Sequence, residues 1–585
     1  MKQFFKFMLA SMAALFVSGF ILFLFFMVLI SSMATEKEVG VKDHSILEIS
    51  LSTEIKERSS KNPLEGFSFA DLSNEKSIGL NDILASINSA AGDPQIDGIY
   101  LNLRNASGSM ATLEEIRNAL LDFKKSKKFI YAYSEGYSQR AYYLASLADK
   151  IYLYPEGEVD FHGLNANLMF FKGALEKLEI EPEIIRHGKF KSAVEPFMYD
   201  KMSPENKEQT KVFIGSLWNQ YLTDIAASRG TSVEELQKTA DNLSGRNGKL
   251  ALESKLVDQL AYYDEVIDIL KQKTGVSENT SLNFIDLKKY SKTITRTKDF
   301  LAPKIAIIYA NGDIVSGKSD DDQMGSTTIA EAIRKARKDS TIKAIVLRVN
   351  SPGGSALASD VIWRETILAR KAKPLVVSMG DYAASGGYYI SCAANKIVAQ
   401  PNTITGSIGV FGLMFNTQKM FNNKLGITFD TVKTARMAGL GDMNYPLTAE
   451  ERAIMQESVE DIYGTFIQHV ADGRKMLVSE VDSIGQGRVW SGTDAKQLGL
   501  VDELGGIDRA IEIAAQLAKL DKHREIEMPE QKEFFDKLFE DLNAEASTKT
   551  LKTQLGPLYN DYVRVKAALE NQGVQARIPY SLDIR

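Results

Sequence analysis

Lys343-Ala-Ile-Val-Leu-Arg-Val-Asn350 is a run of aliphatic and β-branched residues that stops at Ser351-Pro-Gly-Gly354. A short apolar run bounded by Pro and Gly reads as a buried strand ending in a tight turn. The run has an earlier counterpart, Asp97-Gly-Ile-Tyr-Leu-Asn-Leu-Arg104. Downstream, Gly387-Tyr-Tyr-Ile-Ser-Cys-Ala-Ala-Asn-Lys-Ile397 repeats Ala141-Tyr-Tyr-Leu-Ala-Ser-Leu-Ala-Asp-Lys-Ile151. Ile99 and Ile345, Tyr142 and Tyr388, and Pro155 and Pro401 each stand 246 residues apart, so the register holds without a gap. It has drifted by only two residues at Asp258 and Asp502. Self-similarity over this span identifies a tandem duplication.

The chain of 585 residues is too long for one hydrophobic core. Its expected parts are a tail and anchor at 1–36, a first copy at 40–290, a second copy at 300–520 and a C-terminal tail at 521–585. The tail has no counterpart in the first copy and reads as helical at Phe534–Leu542. In the second copy Ile305–Tyr309, Ala344–Val349, Leu375–Ser378 and Lys396–Ala399 read as strands, with helices at Thr327–Asp339 and Ala356–Ala369. That alternation predicts an α/β fold with a largely parallel sheet in each copy. Capping patterns at Thr448-Ala-Glu-Glu451 and Ser203-Pro-Glu-Asn206 open one long helix per copy.

Between Phe7 and Thr35 there is no charged residue. A membrane-spanning helix needs about 20 apolar residues, whereas a cleaved leader has an apolar core of only about 7–15. The segment is therefore expected to be one retained transmembrane helix. Lys2 and Lys6 in front of it place the tail in the cytoplasm and the rest of the chain across the membrane. A net charge of −6 argues against nucleic acid as a partner. The single cysteine, Cys392, lies among small apolar residues and reads as a buried structural thiol. Five histidines without ligand spacing point to no metal.

Three glycine-rich turns of the second copy carry the candidate chemistry: Pro352-Gly-Gly354, Ser385-Gly-Gly387 and Gly406-Ser-Ile-Gly409. Turns of this kind expose N–H groups and admit a ligand backbone. In the first copy they have become Ala106-Ser-Gly108, Gln139-Arg-Ala141 and Asp160-Phe161. The first copy instead offers Lys189-Phe-Lys-Ser-Ala-Val-Glu-Pro-Phe197, in which Lys191 falls opposite Ala438. One copy has kept a lysine and lost the serine; the other has kept the serine, Ser407, and lost the lysine. No histidine lies in the glycine turns, and His469 sits within a long helix. The reciprocal pattern points to a serine–lysine dyad, Ser407 as nucleophile and Lys191 as base, assembled across the two copies. Ser385 is the rival serine and reads as a small residue that permits a tight helix start. Lys189 reads as a solvated surface lysine.

The Asn-Ser-Pro-Gly-Gly-Ser, Ala-Ser-Gly-Gly-Tyr-Tyr, Thr-Gly-Ser-Ile-Gly-Val-Phe-Gly and Lys-Ser-Ala-Val-Glu-Pro-Phe segments together resemble the signal peptide peptidase A family in its long, two-repeat, membrane-anchored bacterial form. The resemblance runs from about Phe7 to Leu520. It implies a tandem Clp-protease/crotonase-like β-α spiral, Ser407 and Lys191 as the dyad, and Gly354 with the Ser407 N–H as oxyanion hole. It also implies a homo-oligomer, a tetramer, held on the periplasmic side of the bacterial inner membrane. Its substrates are then cleaved signal peptides, and no cofactor is needed. Two other readings compete. A crotonase-like acyl-CoA enzyme would use the Pro-Gly-Gly turn for a thioester and needs basic residues for CoA phosphates. A non-catalytic membrane scaffold needs neither Ser407 nor Lys191.

Overall fold

The structure, a computed structural model, describes residues 2–34, 40–60, 77–294, 299, 301–319, 323–531 and 573–577. The helix expected at Phe534–Leu542 lies outside the described residues. Each copy is built on a largely parallel sheet laid down by strand–helix–strand crossovers, and in the second copy Val489–Ser491 adds an antiparallel edge strand beside Ile404–Gly406. In the first copy the spatial order is Gln259–Leu260, Lys150–Leu153, Phe129–Ser134, Ile96–Ala106, Ser45–Leu51 and Asn283–Asp286. In the second copy the equivalent order is Glu503–Leu504, Lys396–Ala399, Leu375–Ala384, Ile342–Ser351, Lys304–Asn311 and Arg524–Met528. The two orders correspond strand for strand.

That correspondence corrects the expected end of the second copy. Arg524–Met528 lies beyond Leu520 yet pairs with Lys304–Asn311 as Asn283–Asp286 pairs with Ser45–Leu51. The unit therefore reaches Met528. The sequence of this strand, Arg-Glu-Ile-Glu-Met, alternates charge with apolar residues and so hides an edge strand. Both long helices form, Pro204–Arg229 and Ala449–Arg474, each of 26 residues. Ser203 and Thr448 cap them as their sequences predict, Thr448 with Glu451 in a reciprocal capping box.

The copies share a core. Ile305, Tyr309 and Val346 of the second pack in one apolar cluster with Leu51, Ile83 and Leu103 of the first. Across the same boundary the fully buried Arg348 guanidinium donates to Glu57 at 2.8 Å and to Glu115 at 2.6 Å. Thr112 bonds Asp381 through both its N–H and its hydroxyl, and Asn402 donates to Glu114. Charges this deep persist only when paired, so the network fixes how the two sheets meet.

A third sheet belongs to neither copy alone. Its order is Gln323–Gly325, Asp313–Val315, Gly353–Ser355, Gly573–Arg577, Phe411–Asn416 and Glu181–Arg186. The last of these is a first-copy strand laid antiparallel on the second copy, with Arg186 opposite Phe411.

At the N-terminus Lys2–Ala34 is one continuous helix of 33 residues. The side chains of 22–34 lie outside the described residues. Among the described residues no helix is long and apolar enough to cross a membrane.

Candidate active site

Parallel strands deliver their C-terminal ends to one side of a sheet, where open α/β sheets form their clefts. Ile342–Ser351 runs into Pro352-Gly-Gly354, Leu375–Ala384 into Ser385, and Ile404–Gly406 into Ser407. Ala384 pairs with Gly406, so the two serines that follow them are neighbours. The backbone turns sharply at both, with φ of +55° at Ser385 and +50° at Ser407. Positive φ is uncommon for serine and is held here by the surrounding bonds. The Ser385 N–H donates to the Gly406 carbonyl at 2.8 Å and the Ser407 N–H to the Arg488 carbonyl at 2.7 Å. Gly406 is required as glycine: at φ +74° a Cβ would lie 2.7 Å from the Trp490 ring.

Lys191 arrives from the other copy. Glu181–Arg186 pairs along Phe411–Asn416, and the chain then turns through His187–Phe190 to bring Lys191 beneath Ser407. Five hydrogen bonds hold that turn. The Phe190 N–H donates to the Gln486 carbonyl at 3.1 Å. Gln209, on the long first-copy helix, donates to the Phe190 carbonyl at 3.0 Å and to Ser192 Oγ at 2.8 Å. Glu195, fully buried, accepts from the Ser203 hydroxyl at 2.6 Å and from Asn206 at 2.9 Å, tying the Lys-Ser-Ala-Val-Glu stretch to the helix start. Gly487, at φ +84°, makes the room: a Cβ there would lie 2.6 Å from Lys191 Cα, Cβ and N.

The lysine amine Nζ lies 3.1 Å from Ser407 Oγ, 2.9 Å from Ser385 Oγ and 3.2 Å from the Ser407 carbonyl oxygen. The side chain is 0% exposed. Burial alone drives its pKa well below the ordinary lysine value. Desolvation disfavours the ammonium, and among the described residues no carboxylate stands by to restore it. A neutral amine beside a serine hydroxyl can accept its proton, and a serine whose proton has been taken can attack a carbonyl.

The structure thus brings Ser407 and Lys191 together. Gly354 sits in the strand Gly353–Ser355, opposite Ile314 on one side and Ala576 on the other. The Ser407 N–H, the second donor that the resemblance implies, donates to the Arg488 carbonyl at 2.7 Å. Ser385 is more than a small helix-starting residue: its hydroxyl is Lys191's shortest side-chain contact. Neither its place beside Ser407 nor its bond to a lysine about 190 residues away was legible in the Ala-Ser-Gly-Gly turn. Gln209 and Gly487 also went unread; the only local signal was the Gly485-Gln-Gly487 triplet. His469 stacks on Trp363 with ring centroids 3.5 Å apart and stays out of the site. His187 pairs with Glu460 at 2.5 Å on the Tyr463 ring.

Comparison with known proteins finds two matches to the profile of peptidase family S49, at residues 122–277 and 367–521. Residues 296–405 match the Clp protease profile. Protease 4 of Salmonella typhi is 45% identical, over 75% of this chain and 72% of that protein. Protease 4 of Haemophilus influenzae is 39% identical, over 76% and 73%. The chloroplastic serine protease SPPA of Arabidopsis thaliana is 37% identical, over 75% and 66%. Among solved structures, a ClpP1 N165D mutant from Listeria monocytogenes is 15% identical with a TM-score of 0.24, covering 35% of this chain and 94% of that one.

Proposed function

The chain belongs to peptidase family S49 as an SppA-type serine protease, and from that premise we propose that Ser407 is its nucleophile and Lys191 its general base. The observation that carries this reading is the desolvated amine, without a carboxylate partner, 3.1 Å from Ser407 Oγ. Ser407 Oγ attacks the peptide carbonyl while its proton passes to Lys191 Nζ. The resulting ammonium then protonates the leaving amine, and water, deprotonated by the same lysine, releases the acyl group. Ser385 accepts a hydrogen bond from Nζ and aims the lysine lone pair at Ser407. Gly354, at the cleft edge, is the candidate donor to the oxyanion; such donors contribute about 2.7–4 kcal/mol to the transition state.

The substrates we propose are cleaved signal peptides, bound as extended strands against the third sheet. The uncharged run that begins at Phe7 within the N-terminal helix supports retention on a membrane as a single-pass anchor. Its exposed apolar side chains, among them Phe7, Leu15 and Phe16, need an apolar medium. With Lys2 and Lys6 at its start, the catalytic part would stand on the periplasmic side of the inner membrane. A homo-oligomer, a tetramer, completes the reading. Family membership removes the acyl-CoA and scaffold alternatives.

One observation favours a second assignment. Ser385 is the closer serine to Nζ and, like Ser407, has a left-handed backbone. Hydrolysis of a fluorogenic apolar peptide by Ser407→Ala, Lys191→Ala and Ser385→Ala separates the two. Ser407→Ala and Lys191→Ala are expected to be folded and inactive, with Ser385→Ala reduced yet turning over. Full loss in Ser385→Ala with activity in Ser407→Ala would exchange the serines.

A further inference from the structure

Each of the three glycine-rich turns is preceded by a polar residue in an otherwise apolar stretch. Asn350 stands four residues before Gly354, Asp381 four before Ser385 and Asn402 five before Ser407. A polar side chain this close to a buried sheet needs a hydrogen-bonding partner. All three find one in the first copy.

One helix start supplies two of the partners. In the first turn of Met110–Phe123, Thr112 donates through both its N–H and its hydroxyl to Asp381, each at 2.9 Å. Two residues on, Glu114 accepts from the Asn402 N–H at 3.1 Å and from its side-chain amide at 3.0 Å. Glu57 takes the third, accepting from the Asn350 side chain at 2.7 Å. Thr112, Glu114 and Asn402 are all buried. The same residues knit the second copy's strand ends to one another. Asn350 accepts from the Tyr382 N–H at 3.1 Å, and Thr403, next to Asn402, donates its hydroxyl to the Gly380 carbonyl at 2.8 Å.

The duplication provides an internal comparison. The positions 246 residues earlier, before the turns that carry no candidate chemistry, are Arg104, Glu135 and Glu156. All three are exposed, and Arg104 and Glu135 come no closer than 3.9 Å. Such a grip is therefore found on the turns that meet Lys191 and is missing from their counterparts.

We propose that Thr112 and Glu114 are positioning residues for the reaction: from the first copy they hold the turns bearing Ser385 and Ser407 at bonding distance from Lys191. Their effect on rate rests on the protease reading; their geometry does not. Lys191 and the clamp on its partners then come from the same copy, so the amine and the hydroxyls are referred to one frame. A misplacement near 1 Å costs about 10²-fold in rate, so loss of either hold falls on kcat. The peptide-binding strands of the third sheet are untouched, and KM stays.

The test compares conservative and disruptive variants of the full-length chain in detergent. Glu114→Ala is expected to lower kcat on a fluorogenic apolar peptide by about 10²-fold and the milder Thr112→Val by about tenfold, both at constant KM. Thr112→Ser keeps the hydroxyl and should recover most of the rate. Burial holds Glu114 well above the usual carboxylate range, so the neutral amide of Glu114→Gln is a close substitute and should do the same. Asn81→Ala is the control: Asn81 donates to Glu527 at 2.8 Å across the same boundary, on a strand that leads to none of the turns. It should lose stability and keep kcat. Amide hydrogen exchange at 382–387 and 403–409 is expected to quicken in Thr112→Val and Glu114→Ala but not in Asn81→Ala. Unchanged kcat and exchange in Thr112→Val and Glu114→Ala would overturn the proposal. So would Ser and Gln variants as slow as Val and Ala, since packing rather than the hydrogen bonds would then be at work. If the unaltered chain cleaves no peptide, the protease reading fails by itself, and the exchange comparison still decides whether Thr112 and Glu114 hold the turns.

Discussion

Gly487→Ala tests the glycine packed against the Lys191 backbone. A Cβ at this position would stand 2.6 Å from the Lys191 backbone and Cβ, against an ordinary contact of at least 3.4 Å. Either Lys191 or the 485–488 turn must give by roughly 0.8 Å, the difference between those distances, and a misplacement near 1 Å costs about 10²-fold in rate. That stretches the 3.1 Å Nζ–Oγ contact towards 4 Å, beyond hydrogen-bond range. The left-handed backbone adds about 1–2 kcal/mol of destabilisation that has nothing to do with the site. Gly499→Ala supplies the control for that term, since Gly499 has φ +76° and nothing within 4 Å of its would-be Cβ. Both variants are expected to lose similar stability by urea unfolding. Only Gly487→Ala should lose about 10²-fold in kcat/KM on a fluorogenic peptide. Equal activity in the two variants would refute the claim that Gly487 sets the lysine.

Lys191→Arg places a permanently charged guanidinium under Ser407 and should lower kcat by about 10⁴-fold or more in single-turnover assays, although a long basic side chain is kept. In the native enzyme kcat/KM should rise with pH through the depressed pKa of Lys191, since the neutral amine is the active form. The same shift makes the buried lysine a source of stability at high pH that is lost as pH falls through its folded pKa, to be read by unfolding at successive pH values. Arg348→Met leaves Glu57 and Glu115 buried without their cation and should cost about 3–5 kcal/mol in denaturant unfolding, with the Glu57→Gln/Glu115→Gln background recovering much of it. Cys392, whose thiol burial pushes up to about 12, should ignore a thiol reagent in the native state and react only after unfolding.

The parallel strands of each copy could be anticipated because the duplication is written in apolar runs, and apolar runs are what a buried parallel strand requires. Lys396–Ala399 has the limits its sequence predicts, while Leu375–Ala384 runs six residues further, through polar Asp381, because Thr112 of the other copy receives that carboxylate. Arg524–Met528 was missed because an edge strand needs only one apolar face. The tail strand was invisible for a related reason: Gly-Val-Gln-Ala-Arg has almost no pattern of its own and takes its conformation from the two strands it joins. Ser407 and Lys191 were legible through what the opposite copy had lost. Ser385 and Gln209 were not, since a hydrogen bond to a distant loop leaves no period or spacing in the chain.

The meeting of Lys191 from one copy with Ser407 from the other has a consequence for how such a chain can change. After a duplication either copy is ordinarily free to decay or be deleted, with the other as insurance. Here each half carries what the other has discarded, so neither is spare. Deletion of one half is barred, and drift in the angle between the halves is selected against as strictly as a change at the serine itself. The inherited redundancy has become a mutual dependence, and the smallest heritable unit of this site is the whole tandem.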